Sequence, residues 1–245
     1  MEYEGHSWEV LDICVMPDNS KFASVGGDRS AFLFDVLTGK TVRKFSGHTQ
    51  RINCCDFNDD ASVLATGSYD ATLRLWDLKS NSRIPIQILD DARDSVTSIC
   101  IQEYEILCGS VDGHIRCYDI RTGNLTDDSL NVPVSCVSLA KDNTSFLAST
   151  LDSCVRLLDK VTGNVLNEYK GHTNTKYKIQ STFLLNDSVI VSGSEDSCLY
   201  FWDFIEGKII QILEGNGSAV TSLSIHPTEP FMVTSCVDGS IQLWQ

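Results

Sequence analysis

The stretch Gly67-Ser68-Tyr69-Asp70-Ala71-Thr72-Leu73-Arg74-Leu75-Trp76-Asp77 returns as Gly193-Ser194-Glu195-Asp196-Ser197-Cys198-Leu199-Tyr200-Phe201-Trp202-Asp203. Anchored on its first aspartate, the pattern occurs six times, at Asp28, Asp70, Asp112, Asp152, Asp196 and Asp238. The spacings are 42, 42, 40, 44 and 42 residues, a period that belongs to repeat architectures. Six residues after each of these aspartates stands a large apolar residue: Phe34, Trp76, Tyr118, Leu158, Trp202 and Trp244. A second aspartate follows the first five, at 35, 77, 119, 159 and 203, and Gln245 follows the sixth. Four residues further on come Gly39, Asn81, Gly123, Gly163 and Gly207. A tight turn between strands often needs positive φ, which glycine supplies and asparagine tolerates.

Upstream, Gly-His pairs stand at Gly5-His6, Gly47-His48 and Gly171-His172. Each unit then reads as a linker, a strand, a polar turn, a strand ending in small residues, an aspartate turn and a strand ending in Trp-Asp. That is about four short runs of period two, with no helical stretch of any length. This order resembles the WD40 family, a β-propeller of radial four-stranded blades, over the whole chain. The resemblance implies an all-β fold and a single propeller domain over residues 1–245. Its repeat units fall at roughly 5–46, 47–89, 90–130, 131–170, 171–214 and 215–245.

The family pattern also implies a hydrogen-bonded set in each blade, made of the Gly-His histidine, a Ser or Thr, the turn aspartate and the Trp. The set is complete twice, as His48, Thr66, Asp70, Trp76 and as His172, Ser192, Asp196, Trp202. The first unit has His6, Ser24 and Asp28 with Phe34 in the Trp place, and the third has Cys108 and Tyr118 without His. The fourth has Ala148 and Leu158 without His, so Asp152 is expected to lack a polar network. The sixth has Thr234, Asp238 and Trp244, with Asn216 where the His would stand. A Ser/Thr, His and Asp grouping invites a hydrolase reading. One enzyme needs one triad, whereas a grouping repeated at a fixed period describes scaffolding. No catalytic residue, cofactor or metal is therefore expected.

Composition, 42% hydrophobic and 21% charged, is ordinary for a soluble globular protein. The 245 residues carry 33 acidic and 19 basic side chains, a net charge of −14. That balance argues against the electrostatic footprint of a nucleic-acid binder. No apolar run approaches the length of a membrane span, and Met1-Glu2-Tyr3-Glu4-Gly5-His6 lacks a basic-then-apolar signal pattern. The expectation is a chain neither secreted nor inserted in a membrane. Ten cysteines occur and none is paired as C-x-x-C. In β-rich runs they read as reduced, structural thiols of an intracellular protein.

Segments particular to single units narrow the resemblance. Leu89-Asp90-Asp91-Ala92-Arg93-Asp94-Ser95-Val96 replaces the Gly-His linker of the third unit. With Tyr118-Asp119-Ile120-Arg121-Thr122-Gly123, Glu168-Tyr169-Lys170-Gly171-His172 and His226-Pro227-Thr228-Glu229-Pro230, it resembles the mitogen-activated protein kinase organizer family. That resemblance implies a scaffold of the MAP kinase pathway that is also associated with spliceosomes, in cytoplasm and nucleus. The implied partners are MAP kinase pathway components and splicing factors. It also implies seven repeats where six are visible. Residues 1–4 then read as the tail of an outer strand, with Tyr3 in the place of Phe45, and a weak seam is expected between the first and sixth units.

Propellers of this class work through loops on one face. Positions just before the turn aspartate, and three and five after the Gly-His histidine, are expected there. Read off this chain, with close neighbours, they include Trp8, Glu9, Leu11, Arg51, Asn53, Tyr69, Arg93, Asp94, Ser95, Tyr177 and Glu195. Trp, Tyr and Arg dominate binding hot spots, so Trp8, Arg51, Tyr69 and Tyr177 are the expected anchors for a protein partner. A direct reader of RNA or of a modified peptide is the alternative. It would need a basic stripe or an aromatic cage, and the lysines and arginines are scattered.

Overall fold

The computed structural model describes residues 2–184, 187–215 and 217–245, so Met1, Leu185, Asn186 and Asn216 lie outside the described residues. Among those described there is no helix, and hence none long and apolar enough to cross a membrane. The chain forms two compact units, residues 1–131 and 132–245. The first unit holds three antiparallel sheets. They are β1 (Val10–Val15), β2 (Lys21–Gly26), β3 (Ser30–Asp35) and β4 (Thr41–Ser46); β5 (Ile52–Phe57), β6 (Val63–Ser68), β7 (Leu73–Asp77) and β8 (Gln87–Leu89); and β9 (Val96–Gln102), β10 (Glu105–Ser110), β11 (His114–Asp119) and β12 (Asn124–Ser129). The second unit holds β13 (Val134–Leu139), β14 (Ser145–Thr150), β15 (Cys154–Asp159) and β16 (Val165–Lys170). Next come β17 (Ser181–Leu184), β18 (Val189–Gly193), β19 (Cys198–Asp203) and β20 (Ile209–Glu214). Its last sheet has three strands, β21 (Val220–Ile225), β22 (Met232–Cys236) and β23 (Ile241–Trp244). Every sheet is a meander, with consecutive strands paired.

The turn aspartates explain the meander. The residue after each of the six has positive φ: Arg29 (61°), Ala71 (62°), Gly113 (81°), Ser153 (60°), Ser197 (70°) and Gly239 (84°). At the four non-glycine positions this conformation costs on the order of 1 kcal/mol each. The aspartate side chain offsets it by capping the turn. Asp70 Oδ1 accepts the Thr72 N–H at 3.0 Å, and Asp196 Oδ1 accepts the Cys198 N–H at 3.0 Å. At the opposite strand end Gly39, Gly123, Gly163 and Gly207 have positive φ, as the spacing predicts. Asn81 does not, because the chain from Asp77 to Gln87 is a longer loop and not a tight turn.

The core lies in layers between neighbouring sheets of one unit. Val25, Leu33, Phe45, Phe57 and Leu64 enclose Trp76 between the first and second sheets. In the second unit Tyr169, Ile190 and Tyr200 gather around Trp202. Each buried aromatic removes enough apolar surface to stabilise by roughly 2–3 kcal/mol. All ten cysteines are free, and burial pushes the Cys108 thiol up to about 12.

Tyr3 takes the place predicted for it. It meets Phe34 edge-on at 5.7 Å, and its hydroxyl donates to Val36 O at 3.1 Å. Tyr169 meets Trp202 at 6.2 Å and donates to Phe204 O at 2.7 Å in the same relation. Phe45 meets Trp76 at 5.4 Å. Residues 2–6 form no strand.

Candidate partner-binding surface

The polar sets of the blades come first, because they decide which histidines, aspartates and hydroxyls are free for other work. In the second sheet the set closes. His48 Nδ1 lies 3.0 Å from Asp70 Oδ2 and Nε2 lies 2.8 Å from Thr66 Oγ1, which also accepts the Trp76 indole N–H at 2.9 Å. Burial pushes the Asp70 carboxyl up, but bonds from His48, Thr72 and the Thr49 N–H outweigh it and hold it far below the usual carboxylate range. Thr66 is fully buried, so this hydroxyl faces no substrate. The first sheet keeps the same chain without the indole, with His6 at 2.9 Å from Asp28 and 2.7 Å from Ser24.

The expected second complete set does not form. Trp202 Nε1 donates to Lys170 O at 3.0 Å, and the Ser192 hydroxyl turns to Gly193 O at 2.9 Å. Tyr200, four residues after Asp196, brings its hydroxyl to Asp196 Oδ2 at 2.7 Å and takes the histidine's place. Both ring nitrogens of His172 are buried without a hydrogen-bond partner among the described residues. The ring stands edge-on to Trp202 at 5.4 Å. Burial lowers the His172 pKa to about 4, although the Asp196 and Asp152 carboxylates pull the other way.

The third and fourth sheets, which lack the histidine, use the same position differently. Arg116, four residues after Asp112, is buried and donates to Asp112 Oδ2 at 3.0 Å and to Ser110 Oγ at 2.9 Å. Burial opposes the charge on Asp112, but these bonds bring it down to about 2. Arg156 donates to Asp152 Oδ2 at 2.6 Å. This corrects the expectation that Asp152 lacks a polar network. Arg74 holds the same position in the second sheet, where His48 already serves Asp70. Its guanidinium lies across Gly47, where a Cβ would come within 2.6 Å of Nη1. In the sixth sheet Trp244 Nε1 donates to Thr234 Oγ1 at 2.9 Å.

With these groups committed, the exposed loops remain. At one end of the first two sheets an open depression of about 510 Å³ brings together Trp8, Glu9, Arg51 and Tyr69. Trp8 is 68% exposed and Tyr69 51%. The Arg51 guanidinium lies over the Tyr69 ring at 4.8 Å from its centroid, which holds both side chains in one geometry. Gly27 N donates to Glu9 O at 2.9 Å, and Tyr69 N to Arg51 O at 3.0 Å, so both loops are tied to their sheets. Arg29 and Gln50 also line the depression. Sequence reasoning passed over them, although Arg29 directly follows a turn aspartate and Gln50 directly precedes Arg51.

Other expected surface residues have structural employment. Leu11 and Asn53 are the extra residues of β-bulges in β1 and β5. A bulge re-aims its side chain, and Asn53 Nδ2 accordingly donates to Ser95 Oγ and to Val96 O, both at 2.8 Å. Ser95 is buried and Asn53 partly so, and the two join the second sheet to the third. Leu11 stays 39% exposed. Arg93 and Asp94 are exposed on the linker of the third sheet. There the Arg93 N–H donates to Asp112 Oδ2 at 2.9 Å and Asp94 accepts the Ser95 N–H at 2.6 Å. In the second unit Glu195 accepts the N–H groups of Thr175 (2.7 Å), Lys176 (2.6 Å) and Tyr177 (3.1 Å). It organises the loop that leaves Tyr177 42% exposed. Among the described residues no group of three or more His, Cys, Asp or Glu could hold a metal ion.

Comparison with known proteins agrees with this construction. The family described as WD domain, G-beta repeat matches residues 1–35, 39–77, 163–203 and 207–245. The unmatched stretch between 77 and 163 spans the third sheet and most of the fourth, where arginine replaces histidine. The WD repeat domain-containing protein 83 homolog of Dictyostelium discoideum is 34% identical over 271 residues, which spans 99% of this chain and 83% of that protein. WD repeat domain-containing protein 83 of Xenopus tropicalis is 46% identical over 243 residues, with 99% and 77% covered. The protein of that name in Rattus norvegicus is 44% identical over 167 residues, with 68% and 53% covered. The chain thus spans about half the length of this last relative.

Proposed function

Because the chain belongs to the WD40 family of WD-domain, G-beta repeat proteins, we propose that it is a non-enzymatic protein–protein interaction scaffold. The observation that carries this reading is the division of labour among its side chains. The His, Asp and hydroxyl groups that resemble a catalytic set are tied up in bonds inside the first and second sheets, and His172 is buried, while Trp8, Arg51 and Tyr69 stand exposed together. Aromatic rings and a guanidinium held in a shallow polar depression suit a peptide or loop of another protein. A nucleic-acid reader is less well served. The depression sets Arg29 and Arg51 against Glu9 and Asp28, and the chain as a whole carries −14.

The finer reading is that the partners belong to the MAP kinase pathway or to the splicing machinery, met in cytoplasm and nucleus. It rests on the likeness of the third to fifth units to the mitogen-activated protein kinase organizer family. Affinity purification of the tagged chain with quantitative mass spectrometry tests both levels. Wild type should enrich MAP kinase components or splicing factors, and Trp8→Ala with Tyr69→Ala should lose them. Equal recovery by the variant would move the binding face elsewhere. Recovery of neither group would remove the finer reading.

A further inference from the structure

The opposite end of the first two sheets has a different character. β2 runs from Lys21 to Gly26, so Lys21 stands at one end and Gly27, in the Trp8 depression, at the other. Around Lys21 a groove of about 1030 Å³ is walled by β4 and by the loops that join β1 to β2, β5 to β6 and β7 to β8. Five of the chain's 19 cationic side chains line it: Lys21, Arg43, Lys44, Lys79 and Arg83. Only two carboxylates, Asp18 and Asp60, line it with them. A local excess of three positive charges therefore stands in a chain of −14.

Arg43 is spent on building the groove. Its guanidinium donates to the carbonyls of Asp77 at 3.0 Å, Ser80 at 2.6 Å and Ser82, and so pins the loop after β7 as a wall. The other cations keep capacity. Lys79 pairs with Asp60 at 3.1 Å, but both side chains are well exposed and such a pair is worth little. The Lys44 ammonium lies over the Phe32 ring at 4.9 Å. Arg83 is exposed and makes no hydrogen bond or ion pair among the described residues. Apolar surface lies among the charges, offered by the half-exposed Val42 and by Leu78, with the edges of the core residues Met16 and Leu33 behind them.

We propose that this groove docks an acidic segment of a partner protein, one whose carboxylates are spaced by apolar residues. Its carboxylates meet Lys21, Lys44, Lys79 and Arg83, and its apolar side chains rest on Val42 and Leu78. The occupant is a peptide and not a nucleic acid for two reasons. Asp18 and Asp60 sit among the cations, and a phosphate backbone, with a charge about every 3.4 Å of a strand, would be driven against them. A peptide can place its carboxylates between them. The apolar surface of Val42 and Leu78 also offers nothing to phosphates and sugars. Docking here leaves the Trp8 depression free, because a six-residue strand separates the two sites by roughly 17–20 Å. The same two sheets then hold two partners at once, and the groove stands whether or not the depression binds.

The test uses the full chain and a fluorescein-labelled peptide, Glu-Leu-Glu-Asp-Phe-Glu-Asp-Leu, read by fluorescence anisotropy. A lysine counterpart of that peptide and labelled poly-uridine RNA serve as comparators. The acidic peptide should bind saturably, and the other two should not. Lys21→Glu with Arg83→Glu should weaken it by about tenfold or more, and Trp8→Ala with Tyr69→Ala should leave it unchanged. Lys21→Gln with Arg83→Gln should weaken it less and keep the wild-type thermal melt, which covers the case of a misfolded reversal variant. Failure of the acidic peptide to bind overturns the proposal. So does binding indifferent to both substitutions, or tighter binding of the RNA through the same residues.

Discussion

His172 turns a structural difference into a sign. In a closed hydrogen-bonded set it would share Asp196 and gain a proton more readily in the fold. As found, its ring nitrogens are buried without partners and its pKa falls from 6.5 to about 4. The folded protein therefore holds His172 neutral through a window in which the unfolded chain takes up a proton. The contribution to stability is full above about pH 6.5 and is lost as pH falls towards about 4. At about 1.4 kcal/mol per pH step, the whole window amounts to about 3 kcal/mol, of which about 1 kcal/mol is lost between about pH 7.5 and pH 5.5. The perturbation is His172→Leu, which keeps the apolar contact with Trp202 and removes the titration. Urea melts of both proteins at the two pH values give the assay. The stability of wild type relative to the variant should fall by about 1 kcal/mol on acidification. A constant difference, or one that grows in favour of wild type, would mean that burial does not hold His172 neutral in the fold.

Other outcomes follow from the same geometry. Thr66→Val strips partners from both His48 and Trp76 and should cost roughly 1–3 kcal/mol in urea melts, clearly more than Ser192→Ala, whose hydroxyl bonds only to Gly193 O. Asp152→Ala should cost about 1 kcal/mol, and a double-mutant cycle with Arg156→Met should show the two side chains coupled; additive losses would dissolve the pair. In hydrogen exchange, amides of Ile241–Trp244 should exchange faster than those of Leu73–Asp77. Among the described residues β23 pairs only with β22 and leaves Ile241 74% exposed, while β7 lies between β6 and β8. Equal protection would remove that contrast.

The periodic aspartates were legible in the sequence because their job is local: five of the six cap a turn whose next residue has positive φ, and Asp152 stands at the same turn while bonding to Thr150 and Arg156. That requirement is met within a few residues and leaves a direct trace at Asp28, Asp70 and their counterparts. The glycine turns were legible for the same reason, and Asn81 was misread because loop length, not residue type, changed the turn. The polar sets were legible only in part. Whether His172 reaches Ser192 and Asp196 depends on ångström-scale competition with the Tyr200 hydroxyl, which spacing does not reveal. The arginine substitutes did leave a signal, since Arg116 and Arg156 stand four residues after Asp112 and Asp152 in the two units without histidine. Asn53 and Ser95 look like surface residues in sequence. A bulge in β5 turns Asn53 sideways into the next sheet, and a bulge depends on pairing register, which the chain does not spell out.

The proposed binding face is the depression of Trp8, Arg51 and Tyr69, where a partner protein would meet the chain. Site-specific photo-crosslinking in cells tests it most directly, with a benzophenone amino acid in place of Tyr69 and, in a second protein, in place of Tyr104. Tyr104 is 55% exposed, lies outside the depression and serves as the comparison. Position 69 should give a discrete protein adduct that position 104 does not give and that Trp8→Ala reduces. Equal adducts from both positions, or an adduct with RNA from position 69, would contradict it.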